Sequence, residues 1–217
     1  MTAHEAFALE LARAAADVTL PLFRTGAAAE DKGEPGAFDP VTEADRGAEA
    51  AMRRRIEARF PDHGVVGAIL LADRPDAEFV WVLDPVDGTR AFVAGLPLWT
   101  TLIGLTHQGR PVVGAVAQPY LDEVFLGGPS GARCVARGAE TPIATRPCPN
   151  LNDAVIATTD PDIFTGAELG GWRQPREAGL KPWDWTALVA LIEAAGGRVT
   201  DWLGNTDRRD DFRPDPS

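Results

Sequence analysis

The sequence predicts an α+β fold, with helices layered on a largely antiparallel sheet. Three observations predict it. Residues 3–24 place Phe7, Leu11, Ala14, Val18 and Leu22 at helical spacing. The apolar run over 79–83 reads as a buried strand. Two more strand-like stretches, 98–105 and 111–118, flank a turn at His107-Gln108-Gly109-Arg110. Antiparallel strands after a helix and a strand imply a layered α+β core.

Each element follows from its own pattern. Pro21 falls near the end of the first helix, and 25–38, with Gly26, Gly33, Pro35 and Gly36, reads as a mobile loop. Three acids, Asp39, Glu43 and Asp45, lead into a second helix over 46–60, where Thr42 or Asp45 suits the cap. A turn at Pro61-Asp62-His63-Gly64 leads to a short strand through Val65 and Val66, ending at Gly67. A loop at Arg74-Pro75-Asp76 precedes the central strand, and Pro85 is expected to stop its ladder. Strands over 123–126 and 132–136 continue the sheet. The proline-bearing stretch 138–154 reads as a connection between lobes, followed by a short strand over 155–158 and a patternless stretch over 164–176. A helix over 186–195 ends at Gly196-Gly197, and a strand over 199–202 follows. The expected division is 1–137 for an N-terminal α+β lobe, 138–204 for a shortened C-terminal lobe, and 205–217 for a disordered tail.

Composition narrows the function. The chain has 217 residues and a formal net charge of −11. That balance disfavours nucleic acid, which is bound by neutralising phosphates with Lys and Arg. It also disfavours a small anionic substrate, unless metal ions invert the local field. No apolar run is long enough to span a membrane, and Glu5 and Glu10 stand where a secretory signal needs a basic start. Cys134 and Cys148 form no close pair, so neither a zinc site nor a disulfide framework is indicated, and a cytoplasmic protein is expected. His4, His63 and His107 are scattered and suggest no histidine-based triad.

The stretch from Trp81 to Phe92 carries the chemistry. Asp84 and Asp87 repel each other unless a cation lies between them, and oxygen ligands suit Mg²⁺, Ca²⁺ or Mn²⁺. Gly88-Thr89 is placed to open a short helix whose N–H groups face an anion. Asp-Pro and Asp-Gly are also ordinary turn dipeptides, so spacing alone leaves a plain turn equally open.

The full string Asp84-Pro85-Val86-Asp87-Gly88-Thr89-Arg90-Ala91-Phe92 resembles the signature of the inositol monophosphatase family, Mg²⁺-dependent and Li⁺-sensitive phosphatases. The continuation from Gly95 to Ile103 is most similar to its histidinol-phosphatase branch, which serves histidine biosynthesis. Two further motifs agree in order: Asp39-Pro40-Val41-Thr42-Glu43-Ala44-Asp45, and Glu177 to Trp185 before a helix and Ala195-Gly196-Gly197. The resemblance implies a layered α-β-α-β-α sandwich. It implies two or more Mg²⁺ ions, with Asp84 bridging, Asp87 and Asp184 completing the second and the Val86 carbonyl helping to hold the first. It implies that Asp45 accepts a hydrogen bond from Thr89, which orients the attacking water. Gly88, Thr89 and Arg90 would then meet the phosphate, Glu177 the polar groups of the substrate, and Lys32 would lie near the metals.

By the same resemblance the substrate is a small phosphorylated metabolite, with histidinol phosphate first and inositol monophosphate second. A homodimer is open by analogy. The chain departs from the family pattern in three places. Gly67-Ala68-Ile69-Leu70 stands where the family has Gly-Glu-Glu, with a metal-binding first glutamate. Residues 164–176 replace roughly forty residues of the family's helix and strand, an estimate from the motif spacing. The family adds further strands where this chain has its tail. These departures keep a non-catalytic metal- or phosphate-binding relative open.

Overall fold

A computed structural model describes residues 1–26, 29–31, 40–155, 181–200 and 206, although the side chains of 29–31, 40, 41 and 151 are not described. Two helices come first. α1 (Ala3–Leu22) starts at a capping box in which Thr2 accepts from Glu5 N–H and the Glu5 carboxylate accepts from Thr2 N–H. Glu5 is fully buried and also accepts the Ser130 N–H at 2.9 Å. Burial pushes its carboxyl up, but the hydrogen bonds from Thr2 and Ser130 hold it below the usual carboxylate range. The loop expected after α1 includes β1 (Ala29–Asp31), which pairs antiparallel with β2 (Pro40–Thr42). α2 (Glu43–Arg59) begins three residues earlier than expected, directly after its cap Thr42, because Thr42 and Asp45 form a second capping box.

One seven-stranded sheet organises the rest. Its strands are β3 (Gly64–Gly67), β4 (Phe79–Asp87), β5 (Thr100–His107), β6 (Arg110–Gln118), β7 (Glu123–Gly128), β8 (Gly131–Ala136) and β9 (Ala139–Pro142), in that spatial order. Only β3 and β4 run parallel; every other pair is antiparallel. β9 lies in the stretch expected to be a plain connection, so it carries the sheet past residue 137. α4 (Pro182–Ala194) starts four residues earlier than expected, with Pro182 in its first turn, where the missing N–H costs no helical bond. α3 (Thr89–Val93) is the short helix after the signature turn. Residues 199 and 200 are not in a strand; 201–205 and the stretch 156–180 lie outside the described residues.

The period-2 alternation of each strand divides the core into two faces. Trp81, Leu83, Ile103, Leu105, Val113, Ala115, Ala117 and Leu126 pack against Phe7, Leu11, Met52 and Ile56 of α1 and α2. The opposite face carries Val66, Val80 and Val82, covered by Trp183 of α4. There the strands also align a glycine row, with Gly104 paired to Gly114 and Gly114 to Gly127. α4 lies directly on this row. A Cβ at Gly104 would come within 2.5 Å of Thr186 Cγ2, one at Gly114 within 1.9 Å of the Ala187 carbonyl oxygen, and one at Gly127 within 2.4 Å of Leu191 Cα. The described residues therefore form an α+β fold with three layers: α1 and α2, the sheet, then α4.

The three histidines, scattered in sequence, meet at one end of this core. His63 stacks on Phe60 at 4.6 Å and on Phe79 at 5.0 Å, Phe79 stacks on His107 at 4.5 Å, and His4 lies 5.6 Å from His63. Trp81 donates its indole N–H to His63 Nδ1 at 3.1 Å.

Candidate active site

The site begins at the end of β4. The expected stop at Pro85 does not occur, since the strand continues to Asp87. Pro85 acts instead on the register, which shifts between Asp84 and Asp87 where the proline offers the ladder no N–H. Thr101 donates its hydroxyl to the Pro85 carbonyl at 2.8 Å and holds the irregular segment. In a regular strand, residues three apart face opposite sides. The irregularity is what allows Asp84 and Asp87 to share one neighbourhood.

Asp84 is 8% exposed. Burial pushes its carboxyl well above the usual carboxylate range, and the charges of Asp87, Asp184 and Asp45 push it further, while the Val86 N–H, 3.1 Å from Oδ1, works the other way. Asp87 stands at the open rim of the strand. The protein packed around its carboxylate raises it first and Asp184 second, against hydrogen bonds from Thr100 and the Gly88 N–H. Asp184 comes from the first turn of α4, where its Oδ2 also accepts the Lys181 N–H at 2.6 Å. The capping role and the place in the acidic cluster therefore coexist. Among the described residues, no three acidic, histidine or cysteine side chains are drawn into a metal-holding group. The three aspartates share a field rather than a closed set of ligand positions.

That field suits a divalent cation. The Asp84 and Asp87 carboxyls are both raised, each in part by the charge of Asp184, and among the described residues none of the groups acting on Asp84 is a cation. All the donors are oxygens, which fit Mg²⁺, Ca²⁺ or Mn²⁺ rather than softer metals.

α2 contributes Asp45, 2% exposed. Its Oδ2 accepts the Thr42 N–H at 2.8 Å and also the Thr42 hydroxyl, while Oδ1 faces the Thr89 hydroxyl at 3.3 Å. Burial raises the Asp45 carboxyl, opposed by the bonds from Thr42 and Thr89. The Thr89 hydroxyl also lies 2.8 Å from the Val86 carbonyl. It has one proton, so these two acceptors compete for it.

Gly88 links strand to helix at φ +86°, and a Cβ there would come within 2.8 Å of the Leu98 carbonyl, so both conformation and space require glycine. Its carbonyl accepts from Ala91 and Phe92 N–H and opens α3, and Phe92 anchors that helix against Phe23 and Trp99. Arg90 is exposed on α3. Glu177 and Lys32 lie outside the described residues.

β3 brings the Ala68 departure next to this cluster. Gly67 pairs with Leu83 in parallel register, and Ala68 N–H donates to the Leu83 carbonyl at 3.1 Å. The residue that follows Leu83 is Asp84, so a methyl group stands one step from a buried acid of the site. Two contributors escaped the sequence reading. Trp183 packs on Val66, Val80 and Val82 and seats the start of α4. Glu49 is fully buried one turn beyond Asp45, and its spacing on the apolar face of α2 was the available signal.

A layered α+β core, with the buried Asp84 and Asp45 and the more open Asp87 and Asp184 beside a glycine turn, is the arrangement the chain presents. Residues 2–169 match the inositol monophosphatase family, and the chain belongs to it. It is 35% identical to the chloroplastic bifunctional phosphatase IMPL2 of Arabidopsis thaliana, over 89% of this chain and 63% of that protein. It is 30% identical to a histidinol-phosphatase of Chlorobaculum parvum, over 94% of this chain and 88% of the relative. Among solved structures, an inositol monophosphatase from Zymomonas mobilis superposes with a TM-score of 0.76 at 35% identity, covering 97% of this chain and 91% of the other. The chain thus spans less than two thirds of the Arabidopsis relative and most of the other two.

Proposed function

We propose that the protein is a Mg²⁺-dependent phosphomonoesterase of small metabolites. The observation that carries this reading is the crowding of Asp87, Asp184 and Asp45 around the buried Asp84. Burying several like charges together is costly unless a cation offsets them. Asp84, Asp87, Asp184 and the Val86 carbonyl would hold that cation, and two or more ions would supply Lewis acidity and charge stabilisation at the phosphoryl group. Thr89 would hold the attacking water, with Asp45 accepting its proton and so raising the basicity of the hydroxyl. Gly88, Thr89 and Arg90 would receive the phosphate oxygens, and Glu177 the polar groups of the alcohol.

Histidinol phosphate is our first substrate, supported by the Chlorobaculum relative, which is named a histidinol-phosphatase and matches over 94% of this chain. Inositol monophosphate is second, supported by the Zymomonas structure. Phosphate release from a panel of esters, with and without Mg²⁺ and with added Li⁺, tests both. Hydrolysis of histidinol phosphate that needs Mg²⁺ and falls with Li⁺ is the expected result. No release above buffer from any ester removes the enzyme reading.

Ala68 beside Asp84 favours one second reading, a non-catalytic relative that binds cation or phosphate without turnover. Binding of Mg²⁺ without hydrolysis of any ester would select it. Division at residue 137 into two lobes and a homodimeric assembly remain part of the proposal, tested by limited proteolysis and gel filtration. No helix of the described residues is long and apolar enough to cross a membrane. We take the cytoplasm as the compartment, in keeping with the free thiols of Cys134 and Cys148.

A further inference from the structure

The proposed reaction leaves a second buried acid of α2 unused. Glu49 is fully buried on α2. Its Oε2 accepts the Ile69 N–H at 2.9 Å and its Oε1 the Leu70 N–H at 3.1 Å. Arg53, one turn further on, pairs with Oε1 at 2.8 Å and donates to the Leu70 carbonyl at 3.2 Å. One turn of helix thus grips two N–H groups and one carbonyl of the segment that follows β3. The fit is close: a Cβ at Gly67 would lie 2.2 Å from Glu49 Oε1.

We propose that Glu49 and Arg53 are positioning residues, which fix residues 67–70 and, through the Ala68-to-Leu83 hydrogen bond, the backbone that carries Asp84. Neither residue is among the proposed cation ligands. An ion pair with one partner fully buried and the other half-buried is a poor source of stability compared with apolar groups of the same volume, so its use here points to placement. The same helix carries Asp45, so the one rigid element sets both the Thr89 acceptor and the strand ends beside Asp84. The inference rests on the reading of Asp84, Asp87 and Asp184 as cation ligands.

The test uses the full chain as Glu49→Gln and as Arg53→Lys. Gln turns an amide N–H₂ toward donors, and Lys keeps the charge but loses the fork. Arg53→Lys keeps the test open if Glu49→Gln does not fold. Hydrogen exchange is read at the Ile69 and Leu70 amides, with the Val65 amide, bonded to the Asp73 carbonyl at 2.7 Å, as internal control. Mn²⁺ affinity is read by titration. The expected result is faster exchange at Ile69 and Leu70 alone, and Mn²⁺ binding weaker by about tenfold, the scale of outer-shell changes. A lower melting temperature with unchanged Mn²⁺ affinity assigns the pair to stability only and overturns the inference. Unchanged exchange at Ile69 and Leu70 overturns it as well. A wild-type chain that binds no Mn²⁺ overturns the cation reading, and this inference with it.

Discussion

The Thr89 hydroxyl lies 3.3 Å from Asp45 Oδ1, joining α3 to α2 across 44 residues of sequence. The shorter contact of the same hydroxyl is to the Val86 carbonyl, at 2.8 Å. A group that draws the Val86 carbonyl to itself frees the single proton for Asp45. On the proposed reading, a cation held by the Val86 carbonyl would turn Thr89 toward Asp45.

Replacing Thr89 by Ala removes both contacts and leaves the Thr42–Asp45 cap intact. Turnover of the best ester should fall by about 10²–10⁴-fold, the usual range for lost acid–base assistance. Circular dichroism melts should stay close to wild type. Thr89→Ser, which keeps the hydroxyl, should retain most of the rate, and a rate equal to wild type in Thr89→Ala removes the proposed role.

The acidic cluster should make the metal-free protein less stable as pH rises. Asp84, Asp87 and Asp45 all have folded pKa values above their ordinary ones. For an acid raised in this way, its stabilising contribution is present below the unfolded value, about 3.9, and is lost as pH rises through the folded value. Asp84→Asn should raise the melting temperature of the metal-free chain near neutral pH. Mg²⁺ should raise that of the wild type and have much less effect on Asp84→Asn. Differential scanning fluorimetry with and without Mg²⁺ checks both signs.

The histidine stack should respond in the opposite sense. Burial lowers the His4 and His63 imidazoles, and for His63 the charge of His4 adds to this, against Asp62 and Glu78. Below about pH 6.5 the unfolded chain takes up protons that the folded chain resists, so these groups cost stability on acidification. A proton on His63 Nδ1 also removes the acceptor of the Trp81 N–H. His63→Gln, which keeps an acceptor, should flatten the fall in urea midpoint on acidification from neutrality. The acidic cluster is the same in both proteins, so the comparison isolates the histidine.

Gly114→Ala should destabilise the fold, because its methyl would meet the Ala187 carbonyl. The expected cost is about 1–3 kcal/mol, the range for overpacking a core. It is read by urea denaturation, with Gly131→Ala as a contrast: a Cβ there meets nothing within 4 Å, and only its φ of +84° resists the change. Equal stability of Gly114→Ala and wild type would mean that α4 does not rest on the glycine row.

Much of this was legible from residues alone. Helical spacing located α1, the acids and cap ahead of it located α2, a continuous apolar run located β4, and strand-like stretches around turns located β5 to β8. The three acidic motifs were found in order. What sequence could not show was mostly long-range. Pro85 was read as a stop because a proline ends most ladders; here the adjoining strand absorbs it as a register shift. Pro182 and Trp183 lie ahead of the expected start of α4, yet belong to it, because Trp183 is held by valines from β3 and β4. The histidines were scattered along the chain, and only the sheet brings them together. The place of Glu49 on the apolar face of α2 marks it as buried, but only the fold shows the Ile69 and Leu70 N–H groups it grips.

The glycine row also makes mutational tolerance lopsided. On the α1 and α2 side, side chains meet side chains, and one aliphatic group can give way to another by repacking. On the α4 side, a Cβ at Gly114 or Gly127 would meet helix backbone and one at Gly104 the Thr186 side chain, and no residue smaller than glycine exists to relieve the clash from the sheet. A saturation library should therefore find substitutes across one face of the sheet and almost none at Gly104, Gly114 and Gly127 on the other.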